Sequence, residues 1–415
     1  MRLSQICIAI AQLGRGGAWT PLALWPDGIA TPGMWISPRT LTSQWQDYNG
    51  TTPVVEPGTV ADSANPVGLA LDLRAGTPVL GPELVVNGDF SSGMAGWTLT
   101  GYTTAGTPSG GSVRLSGIAP GTNFNELAHQ TLTTVVGRTY KISFPQTFVA
   151  GTANVNIACY ANGVSSGFIT SLPSSGDIYI QATSTTTTLT IFAWNGASTD
   201  VPFDVTVGPA TVKEVPGNHV LQSTSAARPL MSAYDGQTLG PGNTYDATGY
   251  PIFQKYDGVD DGMATAAFSA GTLIDGTDCM IVVRRDSAAS CVAGLYNGVA
   301  DATKFFGMAE SASGSGCVGS GAGTPTVWVD NAQLTGGTAV TRGTLHTALT
   351  VGDYHILEFR GLDLSTWTAA GFGLYTSYVF PGARGDIMLF PSTASTEDKD
   401  AARQYLADYY GVTLP

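Results

Sequence analysis

The chain is short of charge. Only 12% of its 415 residues are Asp, Glu, Lys or Arg, about half the ~25% usual for soluble domains. The 31 acids outnumber the 18 bases, giving a formal net charge of −13 at pH 7, and no Lys/Arg cluster stands out. Such a field repels phosphate backbones, which excludes nucleic acid as the expected partner. No run of about 18 uninterrupted apolar residues occurs, so no transmembrane helix and no membrane insertion is expected. Cysteine is scarce: Cys7, Cys159, Cys279, Cys291 and Cys317 form no Cys-x-x-Cys pair and have no His at ligand spacing. That disfavours structural zinc, and an odd number argues against a complete disulfide framework. Cys279 and Cys291 remain open to two readings, a cross-strand pair in an oxidising medium or buried thiols.

What is abundant is Gly and Pro, 53 and 23 residues, together about 18% against ~12% on average. With many Ser and Thr, this composition points to turns and strands, and the 43% hydrophobic content suffices for cores in about two or three domains. The N-terminus has a signal-like outline, but its apolar stretch is short and Arg15 interrupts it. It is read as uncleaved, a segment that docks the chain into a larger assembly. The first ~75 residues carry Trp19, Trp25, Trp35 and Trp45 between turn signals such as Pro26-Asp27-Gly28 and Asn49-Gly50, an extended, irregular chain pinned by aromatics.

Period-two segments follow between residues 83 and 215, among them Tyr140-Lys141-Ile142-Ser143-Phe144, Val155-Asn156-Ile157-Ala158-Cys159-Tyr160 and Leu189-Thr190-Ile191-Phe192-Ala193-Trp194. Alternation with frequent Gly, Asn and Ser breaks predicts an antiparallel β-sandwich. The texture returns after residue 217, for example in Cys279-Met280-Ile281-Val282-Val283-Arg284 and His355-Ile356-Leu357-Glu358-Phe359-Arg360. Only the C-terminus reads as helical: Ser395 supplies a cap, Ala402, Tyr405, Leu406 and Tyr409 share a face, and Gly411 ends the run. The expected fold is all-β, with two antiparallel sandwiches of jelly-roll type in series, an irregular N-terminal segment and one C-terminal helix. The expected boundaries are 1–76, 77–216 and 217–415, the first segment pairing at its end with the third.

Several motifs carry a resemblance. Val67-Gly68-Leu69-Ala70-Leu71-Asp72 and Gly217-Asn218-His219-Val220-Leu221-Gln222 look like one motif split in two. Phe253-Gln254-Lys255-Tyr256-Asp257-Gly258-Val259-Asp260-Asp261 and Gly385-Asp386-Ile387-Met388-Leu389-Phe390, with the closing helix, complete the set. Their order resembles phage and prophage virion proteins of the tail-fibre type with a laminin-G-like (concanavalin-A-like) domain. The opening Glu83-Leu84-Val85-Val86-Asn87-Gly88-Asp89-Phe90, followed by Gly96-Trp97, resembles carbohydrate-binding jelly-roll modules, here inserted. Together the resemblance covers about four-fifths of the chain. It departs at Met34-Trp35-Ile36-Ser37-Pro38, where the family's Trp-Tyr-Asp-Pro would place an Asp.

The resemblance implies a non-enzymatic fibre or spike on the surface of a phage particle. It would be held by other virion proteins through its N-terminal segment and attach to host-surface glycans as a homo-oligomer, a trimer if a fibre. The alternatives are a head or tail decoration protein and a polysaccharide depolymerase. Glucanases with a concanavalin-A-like sandwich resemble one another in a Glu-x-Asp-x-x-Glu strand. Here the seven glutamates stand singly, no Gly-x-Ser-x-Gly elbow has a plausible partner set, and the four histidines are far apart.

Sugar binding by a sandwich needs rings that stack on pyranose faces, with amides or carboxylates fixing hydroxyls. The candidates are Trp194, Asn195, Tyr102, Tyr160 and Tyr179, with Trp194 at a strand end expected to be the exposed ring and Trp97 a core plug. No cofactor is required. Calcium has two candidate sets: Asp257, Asp260 and Asp261, which alternatively form a tight turn, and Glu83, Asn87, Asp89 and Asp204, where modules of the resembled type hold the ion. Arg384-Gly385-Asp386 spells an adhesion tripeptide but is read as a turn before the last strand.

Overall fold

The computed structural model describes residues 19–50, 52–55, 65–74, 76, 80–119, 125–151, 154–161, 164–169, 177–194, 200–233, 251–268, 270–298, 301–334, 340–375 and 378–415. The first eighteen residues of the expected docking segment, Cys7 and Asn195 lie outside them. The chain divides into two compact units, one made of Met1–Asp47, Thr52–Thr77 and Gly217–Pro415, the other of Tyr48–Thr51 and Pro78–Pro216.

In chain order, β1 (Met34–Ile36), β2 (Gln44–Trp45) and β3 (Leu69–Ala70) come first. The second unit holds β4 (Thr98–Leu99), β5 (Thr103–Ala105), β6 (Val113–Ala119), β7 (Asn125–Thr133), β8 (Thr139–Ser143), β9 (Gln146–Gly151), β10 (Asn154–Ala161), β11 (Val164–Ile169), β12 (Asp177–Gln181), β13 (Thr186–Trp194), β14 (Val201–Val207) and β15 (Thr211–Val215). The first unit resumes with β16 (Val220–Leu221), β17 (Leu230–Ala233), β18 (Ile252–Asp257), β19 (Met263–Thr265), β20 (Asp275–Arg285), β21 (Cys291–Val292), β22 (Met308–Ala309), β23 (Thr326–Val329) and β24 (Ala332–Gln333). It ends with α1 (Arg342–Ala348), β25 (Tyr354–Asp363), β26 (Gly371–Phe372), β27 (Leu374–Tyr375), β28 (Tyr378–Val379), β29 (Pro381–Pro391) and α2 (Thr396–Tyr410).

The large sheet of the first unit runs β17-β18-β29-β20-β25-β23-β24, with β1 also on β29. Because successive strand residues point to opposite faces, β20 feeds two cores. Cys279, Ile281 and Val283 join Ala70, Val220, Met263 and Phe372 of the smaller sheet β2-β3-β16-β19-β26. Met280 and Val282 join Leu24, Trp25, Trp35, Ala402 and Leu406 on the other face. Leu24, Trp25 and Trp35 of the N-terminal segment are therefore core material. Trp25 and Trp35 stack at 6.0 Å, and Trp25 Nε1 donates to the Leu389 carbonyl at 2.9 Å. Burying each such ring stabilises by about 2–3 kcal/mol.

The two halves of the split motif meet: Ala70 pairs with Val220 and Leu69 with Leu221. Beside them Asp72 N donates to His219 Nδ1 at 2.9 Å, and the Asp72 carboxylate accepts Asn218 N at 2.8 Å. Burial alone would raise the Asp72 carboxyl, but the adjacent Arg74 guanidinium and the Asn218 N–H outweigh it and hold the carboxyl below its usual range.

The closing helix is capped as expected, with Asp398 N donating to Ser395 Oγ at 3.0 Å and Gly411 at φ +69° ending it. A second helix, α1, was not expected from its Gly- and Thr-rich sequence; Thr341 Oγ1 starts it by accepting from Thr344 N at 3.1 Å. Arg384, Gly385 and Asp386 do not form a turn. They sit in the middle of β29, with Arg384 and Asp386 fully buried. Cys279, Cys291 and Cys317 are free and buried, so the disulfide alternative for the first two does not form.

In the second unit a five-stranded sheet, β11-β10-β13-β7-β4, faces a layer made of β12-β8-β15 and β5-β6-β14-β9. The latter two join because β8 runs on into β9 and β14 into β15. Leu127, Leu189 and Ile191 from one layer pack with Leu115, Ile142, Val205 and Val212 from the other. Trp97 is a core plug, its ring 5.4 Å from Phe90. The chain thus has the expected class: antiparallel all-β sandwiches with a closing C-terminal helix.

Candidate functional site

The face of the five-stranded sheet turned away from the core is set by register. On β13, Leu189 and Ile191 point into the core, so Thr188, Thr190, Phe192 and Trp194 belong to the opposite face. Residues directly opposite one another share a face. Tyr160 pairs with Thr188, Ala158 with Thr190, Asn156 with Phe192 and Asn154 with Trp194. From β7, Thr131 faces Thr188, His129 faces Thr190 and Glu126 faces Phe192.

Glu126 and His129 could not share a face on a regular strand, being three residues apart. A bulge makes it possible: the register shifts between Ile191 and Phe192, leaving Leu127 as the extra residue on β7. Leu127 and Ala128 both enter the core, and Glu126 swings back to the side of His129, the re-aiming that bulges provide. Glu126 Oε1 then lies 2.6 Å from His129 Nδ1, with the two side chains 38% and 30% exposed. The Tyr102 hydroxyl donates to the Glu126 carbonyl and fixes the bulge from the neighbouring turn. Thr190 and Phe192 are buried and floor the face.

Of the expected sugar-binding residues, Trp194 and Tyr160 occupy positions on this face at opposite ends. Tyr102 is a half-buried support whose hydroxyl is engaged. Contrary to expectation, Tyr179 is not an exposed platform: it lies on β12, in the other layer, and is buried. Its N–H donates to the Asn49 carbonyl at 2.6 Å, and a Cβ on Gly50 would lie 2.3 Å from its Cδ2, so this turn covers the ring. Burial pushes its hydroxyl up to about 12, with Asp177 adding to the effect. Glu126, His129, Phe192, Asn154 and Asn156 were missed, because strict alternation places Glu126 and His129 on opposite faces.

The members of the calcium set in this unit each hydrogen-bond to protein groups. Glu83 Oε1 accepts Val85 N at 3.0 Å and Val212 N at 2.7 Å. Asn87 is spent on Ser92, Gly93 and Ala95, and Asp89 on Ser91. Asp204 is held by both ends of the Arg114 guanidinium, whose hydrogen bonds keep its carboxyl low.

Among the described residues, Asp257, Asp260 and Asp261 form the group of three whose ligand oxygens lie within 4.8 Å of one another. Asp257 Oδ1 accepts Val259 N at 2.7 Å, and Asp261 Oδ2 accepts Asp257 N at 2.7 Å. This is the tight-turn arrangement. Burial raises the Asp261 carboxyl to about 7; the Asp257 N–H opposes the rise and the charges of Asp257 and Asp260 add to it.

One constellation has the outline of a hydrolytic triad. Asp330 Oδ2 lies 2.6 Å from His355 Nδ1, and His355 Nε2 lies 2.8 Å from Thr350 Oγ1. Its chemistry is different. Nε2 already accepts the Thr350 main-chain N–H at 3.0 Å, and Thr350 Oγ1 donates to Asp353 at 2.8 Å. The imidazole has no free lone pair for a hydroxyl proton, and the group ties the turn before β25 to Asp330.

No family model and no curated protein matches the chain. Among solved structures, the N-terminal CBM22 tandem domain of Paenibacillus barcinonensis Xyn10C is similar over 76% of this chain and 98% of its own, at 12% identity and a TM-score of 0.26. The Pleurotus ostreatus lectin in its apo form covers 82% of this chain and 83% of its own, at 11% identity and a TM-score of 0.16.

Proposed function

We propose that the protein is a non-enzymatic glycan-binding protein and that the outer face of the five-stranded sheet is its binding surface. The observation that carries this is the register of β10, β13 and β7, which brings positions 154, 156, 160 and 194 and the Glu126–His129 pair to one face. Rings to stack and polar groups to fix hydroxyls are what sugar recognition needs. The finer reading is a fibre or spike on a phage particle. It attaches to host-surface glycans, is held by other virion proteins through the N-terminal segment, and works as a homo-oligomer; it is supported by the order of the sequence motifs.

The test is a glycan array and host-cell binding assay with the recombinant protein, its Trp194→Ala variant and a reducing-sugar release control. Saturable binding lost in the variant supports attachment through this face. Sugar release would replace it with a depolymerase, and a folded protein with neither activity would point to particle decoration.

A further inference from the structure

We infer that this face takes an uncharged glycan chain of several linked sugars, and neither an acidic polysaccharide nor a single terminal sugar. The inference rests on the glycan-binding reading above and narrows its ligand. Its first support is where the bases are. Residues 78–216 contain four, Arg114, Arg138, Lys141 and Lys213. Arg114 lies on β6, Lys141 on β8, Lys213 on β15 and Arg138 in the turn before β8, so none is on the five-stranded sheet. Three are committed to acids in ion pairs, Arg114 with Asp204, Arg138 with Glu214 and Lys141 with Asp177.

The strands of the proposed face therefore carry a carboxylate, Glu126, and no cation apart from what His129 can hold. A uronate, sialate or phosphate laid on it would lose hydration with no counter-charge and would meet Glu126 as a like charge. A neutral sugar needs only hydroxyl partners, which the Thr, His and Glu side chains of the face can supply.

The second support is length. Positions 160 and 194 belong to rows six residues apart along β13, which is about 20 Å at ~3.3 Å per residue. The strip between them has a ring-bearing position at each end. One sugar can engage a single end; a chain engages both, and its affinity accumulates along the strip.

The experiment is calorimetry and affinity electrophoresis on the full chain, with neutral glucose, mannose, galactose, xylose and N-acetylhexosamine oligomers from monosaccharide to hexasaccharide. Polygalacturonate, polysialic acid and chitosan serve as charged probes. The expected result is affinity for a neutral series that rises by about tenfold or more with length before reaching a plateau, with little dependence on salt. Tyr160→Ala and Trp194→Ala should each shorten the length at which the plateau is reached, with folding checked by circular dichroism. Salt-sensitive binding of an acidic polymer, tighter binding of chitosan than of neutral chains, or a monosaccharide bound as tightly as a hexamer would each overturn the inference. If that binding is still lost in Trp194→Ala, the glycan-binding reading survives it. No binding of any probe by the folded protein would remove both.

Discussion

Glu126 and His129 stand side by side, 2.6 Å apart, only because Leu127 bulges out of the β7–β13 ladder between them. The pair is half exposed, so it carries little of the unit's stability. On the proposed glycan-binding reading, it is a hydroxyl-binding group. Glu126→Ala should lower glycan affinity about tenfold, the equivalent of one hydrogen bond to a charged group. The melting temperature should stay within about a degree, as for exposed ion pairs. Equal affinity in variant and parent by calorimetry would place the ligand elsewhere.

Trp35 Nε1 donates to Asp386 Oδ1 at 2.9 Å across 351 positions of sequence, and the same buried carboxylate accepts from Arg39 and from the Tyr410 hydroxyl. Asp386 thus fastens the N-terminal segment and α2 to the middle of β29. Trp35→Phe keeps most of the ring and deletes one donor to a buried charge. It should destabilise the first unit by about 2 kcal/mol, read as a shift in urea midpoint at unchanged slope. Arg403→Met, which takes one of two arginines from buried Glu358, should cost about 3 kcal/mol.

How much of this was readable follows from where side chains obey simple periods. Cys279 to Val283 is an unbroken apolar run, and the structure buries both faces of β20; Ser395 and Gly411 bracket α2 as capping chemistry dictates. What escaped depended on distant partners. Arg384 reads as part of a polar turn, yet its guanidinium is buried against the Val292 and Ala293 carbonyls and 4.2 Å from the Phe380 ring. Tyr179 reads as an exposed ring until Gly50 is placed over it. Glu126 and His129 read as facing apart because a bulge of one residue leaves no local sign. Trp194 and Tyr160 have readable strand positions, but their common face emerges only from the pairing of β10 with β13.

The buried thiols give an independent check on the first unit. Cys279, Cys291 and Cys317 are buried, and burial pushes Cys317 up to about 12. Thiolate is the reactive form. All three should stay unlabelled by a thiol reagent at pH 8 in the native protein and react on unfolding. Mass-spectrometric mapping of the labelled peptides distinguishes them from the other two cysteines, and native labelling at any of the three would contradict the packing of this core.

Asp261 should make the first unit lose stability as pH rises from about 4 to 7. Its carboxyl is raised to about 7 by burial, with the charges of Asp257 and Asp260 adding to the rise, whereas the unfolded chain titrates it near the ordinary value of ~3.9. Below about pH 4 both states hold the proton and the contribution is fully present. Between the two values the unfolded chain releases the proton while the folded one keeps it, so the balance moves toward unfolding. Above about 7 both are ionised and the slope vanishes. Asp261→Asn retains an oxygen to accept the Asp257 N–H and removes the titration, so its melting temperature should lack the parent's decline between pH 5 and 7. Parallel curves for parent and variant would show that Asp261 ionises normally in the turn. Repeating the parent's scan with millimolar Ca²⁺ tests the cation set at the same time: an ion held by Asp257, Asp260 and Asp261 would favour the ionised carboxylate and reverse the slope.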